Sequence, residues 1–353
     1  MHKLLSFVVA IAAFFSSITA TGGCSGSSGT MTDEWKEIVA ANYAEFISEV
    51  ENNENAVPMI VTTDQHGAVT ANCDIYSYFN EIVDWSKISK ILNLGDTVSS
   101  MFNVKELIDY QVATRCLPDE KRIEITGNHD RFDHATPVGL FISNLFFYTP
   151  NSVRSSDGRA FTVTDEDFGV RYLGVDTNNF PWRYVDGTMP TSLADYIVGE
   201  LSKTDDSDII FFSHSYIFRD CMIRRNGETF TGSENFIGDG EKYAEQKQSF
   251  IDMLSARKNK ASGVLLDTDG VEHPYDFSQC KGDFLMTLHG HHHTEGYETK
   301  DGITEFLFQS MTKDNAQNTE PNCTYFAYID KEAKTFKVWK NLEGYSAWEI
   351  SIA

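Results

Sequence analysis

The sequence predicts an α/β fold, and two observations carry that expectation. Short apolar runs end abruptly in polar residues, and helical patterns lie between several of them. The runs are Met59 to Thr63, Ile88 to Leu94, Ile123 to Thr126, Tyr172 to Val175, Ile209 to Ser213 and Phe284 to Leu288. Each is too short for an ordinary helix, and continuous apolar character is how a strand covered on both faces reads. The helical stretches are Val104 to Thr114, Leu193 to Leu201 and Tyr243 to Ala256. In such folds ligands bind beyond the carboxyl ends of the strands, so the polar cluster after each run is where chemistry is expected.

Taken in order, the chain opens on a leader. Lys3 precedes an apolar stretch from Leu4 to Phe15, which is too short to span a membrane and suits the core of an export signal. Ser16 to Thr30 is rich in Ser, Gly and Thr. Cleavage after Ala20 is one fate. Another is lipidation of Cys24, where Thr21-Gly22-Gly23-Cys24 loosely resembles a lipoprotein processing site lacking the usual leucine three residues earlier. If Met31 is the true start, the protein is cytoplasmic instead. Thr32, with Asp33 and Glu34, then begins a helix whose apolar face is Trp35, Ile38, Val39, Tyr43, Phe46, Ile47 and Val50. The strands and helices above follow. The segment from about residue 218 to 283 reads as an insertion and surface excursion carrying Arg224, Arg225, Phe230 and Tyr275. Thr324 to Ile329 and Thr335 to Lys340, joined by a polar turn, read as a β-hairpin in a second sheet. Without a repeat or linker, residues 31–353 read as one domain.

Composition narrows the function. The 353 residues are 41% hydrophobic and 23% charged, the balance of a folded chain, and their net charge is −23. That charge opposes any grip on bulk nucleic acid, which requires a basic surface to displace counterions. A small anionic substrate stays open, because bound cations reverse the local field of an acidic site. The six cysteines form no CxxC pair, so no zinc-finger site is expected. Membrane contact would come only through a lipid on Cys24, and the oligomeric state is not legible.

The strand ends deliver Asp64-Gln65-His66, Gly95-Asp96, Gly127-Asn128-His129-Asp130, His214 and Gly290-His291-His292-His293. Carboxylate and imidazole suit borderline divalent ions such as manganese, iron and zinc, and a bridging carboxylate such as Asp96 can hold two of them. Two ions lower the pKa of a shared water and neutralise phosphate oxygens as charge builds. In an extended segment, Asp64 and His66 would point the same way, as would His291 and His293, leaving His292 to face elsewhere. Glycines before Asp96, Asn128 and His291 let the backbone approach closely. His214 alone would be a hydrogen-bonded structural histidine, and Asp64 or Asp96 alone a turn residue. Their ordered company is what favours metal binding.

That ordered set, DxH, GD, GNHD, H and GHxH from Asp64 to His293, resembles the calcineurin-like metallophosphoesterase family over about two thirds of the chain. The even spacing of Asp64, Asp96 and Asn128 leaves room for one βαβ unit of about 30 residues each time. The resemblance implies a four-layer α/β/β/α sandwich of two mixed sheets flanked by helices, with a metal site at strand C-terminal ends. It further implies two divalent or trivalent ions, Mn, Fe or Zn. Asp64, His66, Asp96 and His293 would hold one, and Asp96, Asn128, His214 and His291 the other. Hydroxide shared by the metals would attack phosphorus, Asn128 would also position the phosphate, and His129 would protonate the leaving group. Two branches fit poorly. After Asp96 stands Thr97-Val98-Ser99-Ser100, without the carboxylate and arginine of Ser/Thr protein phosphatases or the ligating tyrosine of purple acid phosphatases. Asp130 or Asp176 would then have to orient His129, which makes Asp130 a candidate catalytic residue.

The expected activity is hydrolysis of a small phosphate ester, diester rather than monoester, with Arg224 and Arg225 as candidate substrate contacts. An exported 5′-nucleotidase-like phosphatase and a catalytically silent metal-bound binding module are the alternatives. His134, His273, His289 and His292 are expected to be structural.

Overall fold

The computed structural model describes residues 31–67, 69–99, 104–130, 149–177, 187–218, 221–231, 237, 243–311 and 323–352. The leader, with Cys24, and His134 lie outside them. Helix α1, Asp33–Glu51, starts where Thr32 Oγ1 accepts a hydrogen bond from the Trp35 amide at 3.1 Å, and it buries Trp35, Val39, Phe46 and Val50.

Strands β1 (Ala56–Thr62), β2 (Lys90–Asn93) and β3 (Arg122–Glu124) run parallel, connected by α2 (Val69–Ile82) and α3 (Val104–Ala113). After β4 (Val153–Arg154) come β5 (Ala160–Asp165) and β6 (Val170–Val175), then α4 (Thr191–Leu201), β7 (Asp208–Phe212), β8 (Met222–Ile223) and β9 (Thr229–Phe230). Helix α5 (Ala244–Asn259) leads to β10 (Ser262–Leu266), β11 (Glu272–Asp276), β12 (Phe284–His289), β13 (Gly296–Lys300), β14 (Ile303–Leu307), β15 (Tyr325–Asp330), β16 (Thr335–Lys340) and β17 (Trp348–Ser351).

Two mixed sheets result, one ordered β17-β16-β15-β1-β2-β3 and the other β4-β5-β6-β7-β12-β14-β13-β8-β9, with β10 and β11 forming a separate pair. The expected four layers follow from the alternation of side chains along the strands. Met59 and Val61 of β1 meet Ile210 and Phe212 of β7 in the core between the sheets. Ile60, on the opposite face, packs with Val39 and Phe46 of α1 and Phe79 of α2, while Ile209 and Phe211 pack beneath Leu193 and Ile197 of α4 and Phe250 of α5. Continuous apolar runs are needed because both faces of each sheet are covered.

The C-terminal hairpin forms, but not in a second sheet. β15 pairs antiparallel with β1, Ile60 opposite Phe326, and so joins the sheet of the first three strands. Tyr325, Ala327 and Ile329 enter the inter-sheet core, and Phe326 and Tyr328 face the α1 side, so β15 is apolar on both faces as a central strand must be. Nor is the segment after Phe218 a mere surface excursion: β8 and β9 extend the second sheet, and α5 buries Phe250, Ile251, Met253 and Leu254 against it. Cys116, Cys221, Cys280 and Cys323 are free thiols. Among the described residues no helix is long and apolar enough to cross a membrane.

Candidate metal centre

The loops after β1, β2, β3, β7 and β12 converge at the carboxyl ends of those strands. They are knitted by backbone bonds from Asp64 N to Gly95 O (2.8 Å) and from His66 N to Asp96 O (2.9 Å), and by Gly290 N to His214 O (3.1 Å). The convergence requires unusual backbone. Asp64, His66, Asp96, His291 and His293 all have φ between 45° and 74°, the left-handed region that side chains other than glycine rarely adopt. Extended alternation therefore does not explain the DxH and HxH pairs: their side chains meet because the chain turns sharply at each of them. The close approach shows at Gly127, where a β-carbon would stand 2.2 Å from Asp96 Oδ1.

All seven expected ligands come together. Around one point, His66 Nε2 and His293 Nε2 are 3.0 Å apart, and His293 Nε2 is 3.1 Å from Asp64 Oδ1. Around a second, His214 Nε2 lies 3.0 Å from Asn128 Oδ1, 3.1 Å from His291 Nδ1 and 3.2 Å from Asp96 Oδ2. Asp96 Oδ2 is also 3.8 Å from His66 Nε2, which places this carboxylate between the two groups. Ligands about 2.1 Å from an ion and at right angles to one another stand about 3 Å apart. The donor spacings and their chemistry, imidazole nitrogen with carboxylate and carboxamide oxygen, therefore fit borderline divalent metals.

Outer hydrogen bonds aim the donors. His214 Nδ1 donates to Leu94 O at 2.7 Å, so Nε2 is the nitrogen turned toward the site and the one that would ligate once its proton is lost. Thr63 Oγ1 and the His291 amide both donate to Asp64 Oδ2, at 2.6 and 2.9 Å, and the His129 amide donates to Asp96 Oδ1 at 2.7 Å. Both carboxylates are buried. Burial opposes their charge, yet His293 and His214 hold the Asp64 carboxyl well below its usual range, and His214, His129 and His66 do the same for Asp96. Burial also opposes charge on His214, but Asp96 and Asp64 outweigh it and push the imidazole up to about 10.

Other expected residues fall in different places. His129 Nδ1 faces Ser99 O at 2.8 Å, so a backbone carbonyl orients this ring where Asp130 or Asp176 was expected to. Asp130, fully buried, accepts instead from the amides of Val98 (3.0 Å) and Gly127 (2.9 Å) and clamps two site loops together; burial and the nearby Asp96 push it up to about 7. Asp176 accepts from Thr126 Oγ1 at 2.5 Å. Arg225 binds Glu295 at 2.7 Å and lies over Trp348. The Arg224 guanidinium lies 4.9 Å above Phe230, whose ring is 5.4 Å from that of His292. Burial pushes His292 down to about 4, keeping it neutral beside these rings. Glu106, absent from the sequence expectations, also belongs to this region, where it meets Ser99; a glutamate early in a helix carries no motif by which to find it.

No family model matches the chain, and no curated protein matches it. Similar solved structures include a purple acid phosphatase isolated from yellow lupin (Lupinus luteus) seeds, at 12% identity and a TM-score of 0.48, covering 84% of this chain and 54% of that one. A putative 5′-nucleotidase from Staphylococcus aureus is similar at 12% identity and a TM-score of 0.40, covering 84% of this chain and 54% of its own. A predicted phosphoesterase from Streptococcus pneumoniae matches at 11% identity and a TM-score of 0.34, covering 84% and 98% respectively. The chain thus spans about half the length of the first two. The likeness to a purple acid phosphatase lends no support to the expected exclusion of that branch.

Proposed function

We propose that the chain is a metal-dependent hydrolase of phosphate esters, of the calcineurin-like metallophosphoesterase kind, acting on a small ester. The observation that carries this reading is the set of five donor-to-donor spacings between 3.0 and 3.2 Å, drawn from five loops, at the mouths of parallel strands. Asp64, His66, Asp96 and His293 would hold one ion, and Asp96, Asn128, His214 and His291 the second. Bound there, divalent ions supply Lewis acidity and neutralise phosphate oxygens.

The chain's own residues do the rest. A carbonyl only accepts, so the proton shared between His129 and Ser99 O sits on Nδ1. His129 Nε2 is then the nitrogen that takes up and gives a proton, and it stands 3.9 Å from Asp96 Oδ2 at the edge of the donor cluster. That suits delivery of a proton to a departing alcohol. A diester is the preferred substrate, since Thr97 to Ser100 offers no arginine to hold a second phosphate charge. Arg224, whose guanidinium lies on Phe230 next to His292, is the cationic substrate contact; Arg225 is committed to Glu295. An exported location, by cleavage of the leader or lipidation at Cys24, rests on the composition of residues 1–30.

The test is hydrolysis by the purified chain supplied with manganese or zinc. A bis-aryl phosphate diester should be cleaved faster than an aryl monoester, and Asp96→Asn should lower either rate by at least about a thousandfold. Failure to cleave both esters at full metal occupancy would sink the proposal in favour of a silent binding module.

A further inference from the structure

Glu106, in the first turn of α3, is tied to the loop that holds His129. Its carboxylate accepts from the Ser99 amide at 2.7 Å and from Ser99 Oγ at 2.8 Å to each oxygen. The carbonyl of the same Ser99 meets His129 Nδ1 at 2.8 Å. The carboxylate also packs on the backbone just past His66: a β-carbon at Gly67 would stand 2.2 Å from the Glu106 Cδ. Gly67 in turn donates to Thr97 O at 3.0 Å. One carboxylate thus braces the loop after β1 and the loop after β2, and through Ser99 it reaches the histidine of the loop after β3.

We propose that Glu106 is a positioning residue for His129, acting through Ser99 to fix the direction of one backbone carbonyl and with it the tautomer and tilt of the imidazole. This rests on the phosphoesterase reading for its consequence in turnover, but not for its geometry. Two charge-assisted hydrogen bonds, one from the Ser99 amide and one from its hydroxyl, which is shared between the two carboxylate oxygens, fix the residue on both sides of its α-carbon, from which the carbonyl facing His129 projects. A carbonyl held in this way does for His129 what a carboxylate partner does elsewhere: it keeps the proton on Nδ1 and leaves Nε2 for the reaction. Mere loop bracing would stabilise the protein without selecting a tautomer, and that is the distinction to test.

The test uses the full chain with zinc, a closed-shell ion that does not broaden the spectra. In nitrogen–proton NMR spectra, the His129 Nδ1–H signal, assigned by its loss in His129→Ala, should vanish or begin to exchange with water in Glu106→Ala and persist in Glu106→Gln, which keeps one acceptor oxygen. On a diester with an alkyl leaving group, Glu106→Ala should lower kcat about tenfold with KM and metal content unchanged, and by less than twofold on a bis-aryl diester, whose leaving group departs without a proton. In a His129→Ala background it should cost nothing further. An unchanged signal in Glu106→Ala, or losses that multiply with those of His129→Ala, would overturn the proposal. If the signal behaves as expected while the wild-type chain cleaves no ester, the phosphoesterase reading fails and the brace stands.

Discussion

Asp96 ties together loops that follow three different strands. Its Oδ2 lies within 4 Å of the Nε2 atoms of His214, His66 and His129, and its Oδ1 receives the His129 amide. Its left-handed backbone, φ 52°, is a strained conformation that such contacts must hold in place. The same crowding sets a pH dependence. With Asp96 and Asp64 pushing His214 up to about 10, the metal-free imidazole carries a proton throughout the neutral range. A cation must displace that proton, so metal affinity should fall as pH falls, by about tenfold per unit between pH 8 and pH 6 from this group alone. Calorimetric titration with manganese in buffers of different ionisation enthalpy should register at least one proton released as the site that includes His214 fills. An affinity flat across that range would show that no proton has to leave His214 for the ion to bind.

At the scale of elements, the neighbouring strands β7, β12 and β14 lock the loops that carry His214 and His291. His289, the last residue of β12, lies with its Nε2 3.1 Å from Glu305 Oε2 of β14, and its Nδ1 is 2.9 Å from Ser213 Oγ, one residue before His214. Glu305 also accepts from the amides of Ile217 (2.5 Å) and Phe218 (3.1 Å), so it anchors the chain that follows His214. Both His289 and Glu305 are fully buried. Removing one partner leaves buried polar groups unsatisfied, and Glu305→Ala should cost about 3 to 5 kcal/mol in unfolding by urea. A loss under about 1 kcal/mol would mean that water enters and replaces the carboxylate.

The same elements show how much was legible beforehand. The strands feeding the site were visible because a layer covered on both faces demands unbroken apolar runs, and the ligands stood directly after them. The place of β15 was not visible, since an apolar strand does not state its partner; only the structure sets Phe326 opposite Ile60. β14 was hidden by Thr304 and Glu305, polar residues buried in a strand where the amides of Ile217 and Phe218 satisfy the glutamate. The bonds of Asp130 are not legible in the sequence, because the missing carboxylate after Asp96 does not say that the backbone carbonyl of Ser99 meets His129 in its place.

Across the whole molecule, two sheets packed face to face bring together strand ends that are far apart in sequence. Asp64, Asp96 and Asn128 follow strands of the first sheet, and His214, His291 and His293 follow strands of the second. In the assignment proposed above each ion takes donors from both sheets, so the site depends on where the layers meet. The most direct test of that claim is the metal content of the purified chain after dialysis against manganese or zinc, compared with His214→Ala and His293→Ala. Two equivalents in the wild type, falling to about one in each variant, is the result expected if each histidine serves a different ion. A wild type that retains no metal, or variants that retain as much as the wild type, would contradict it.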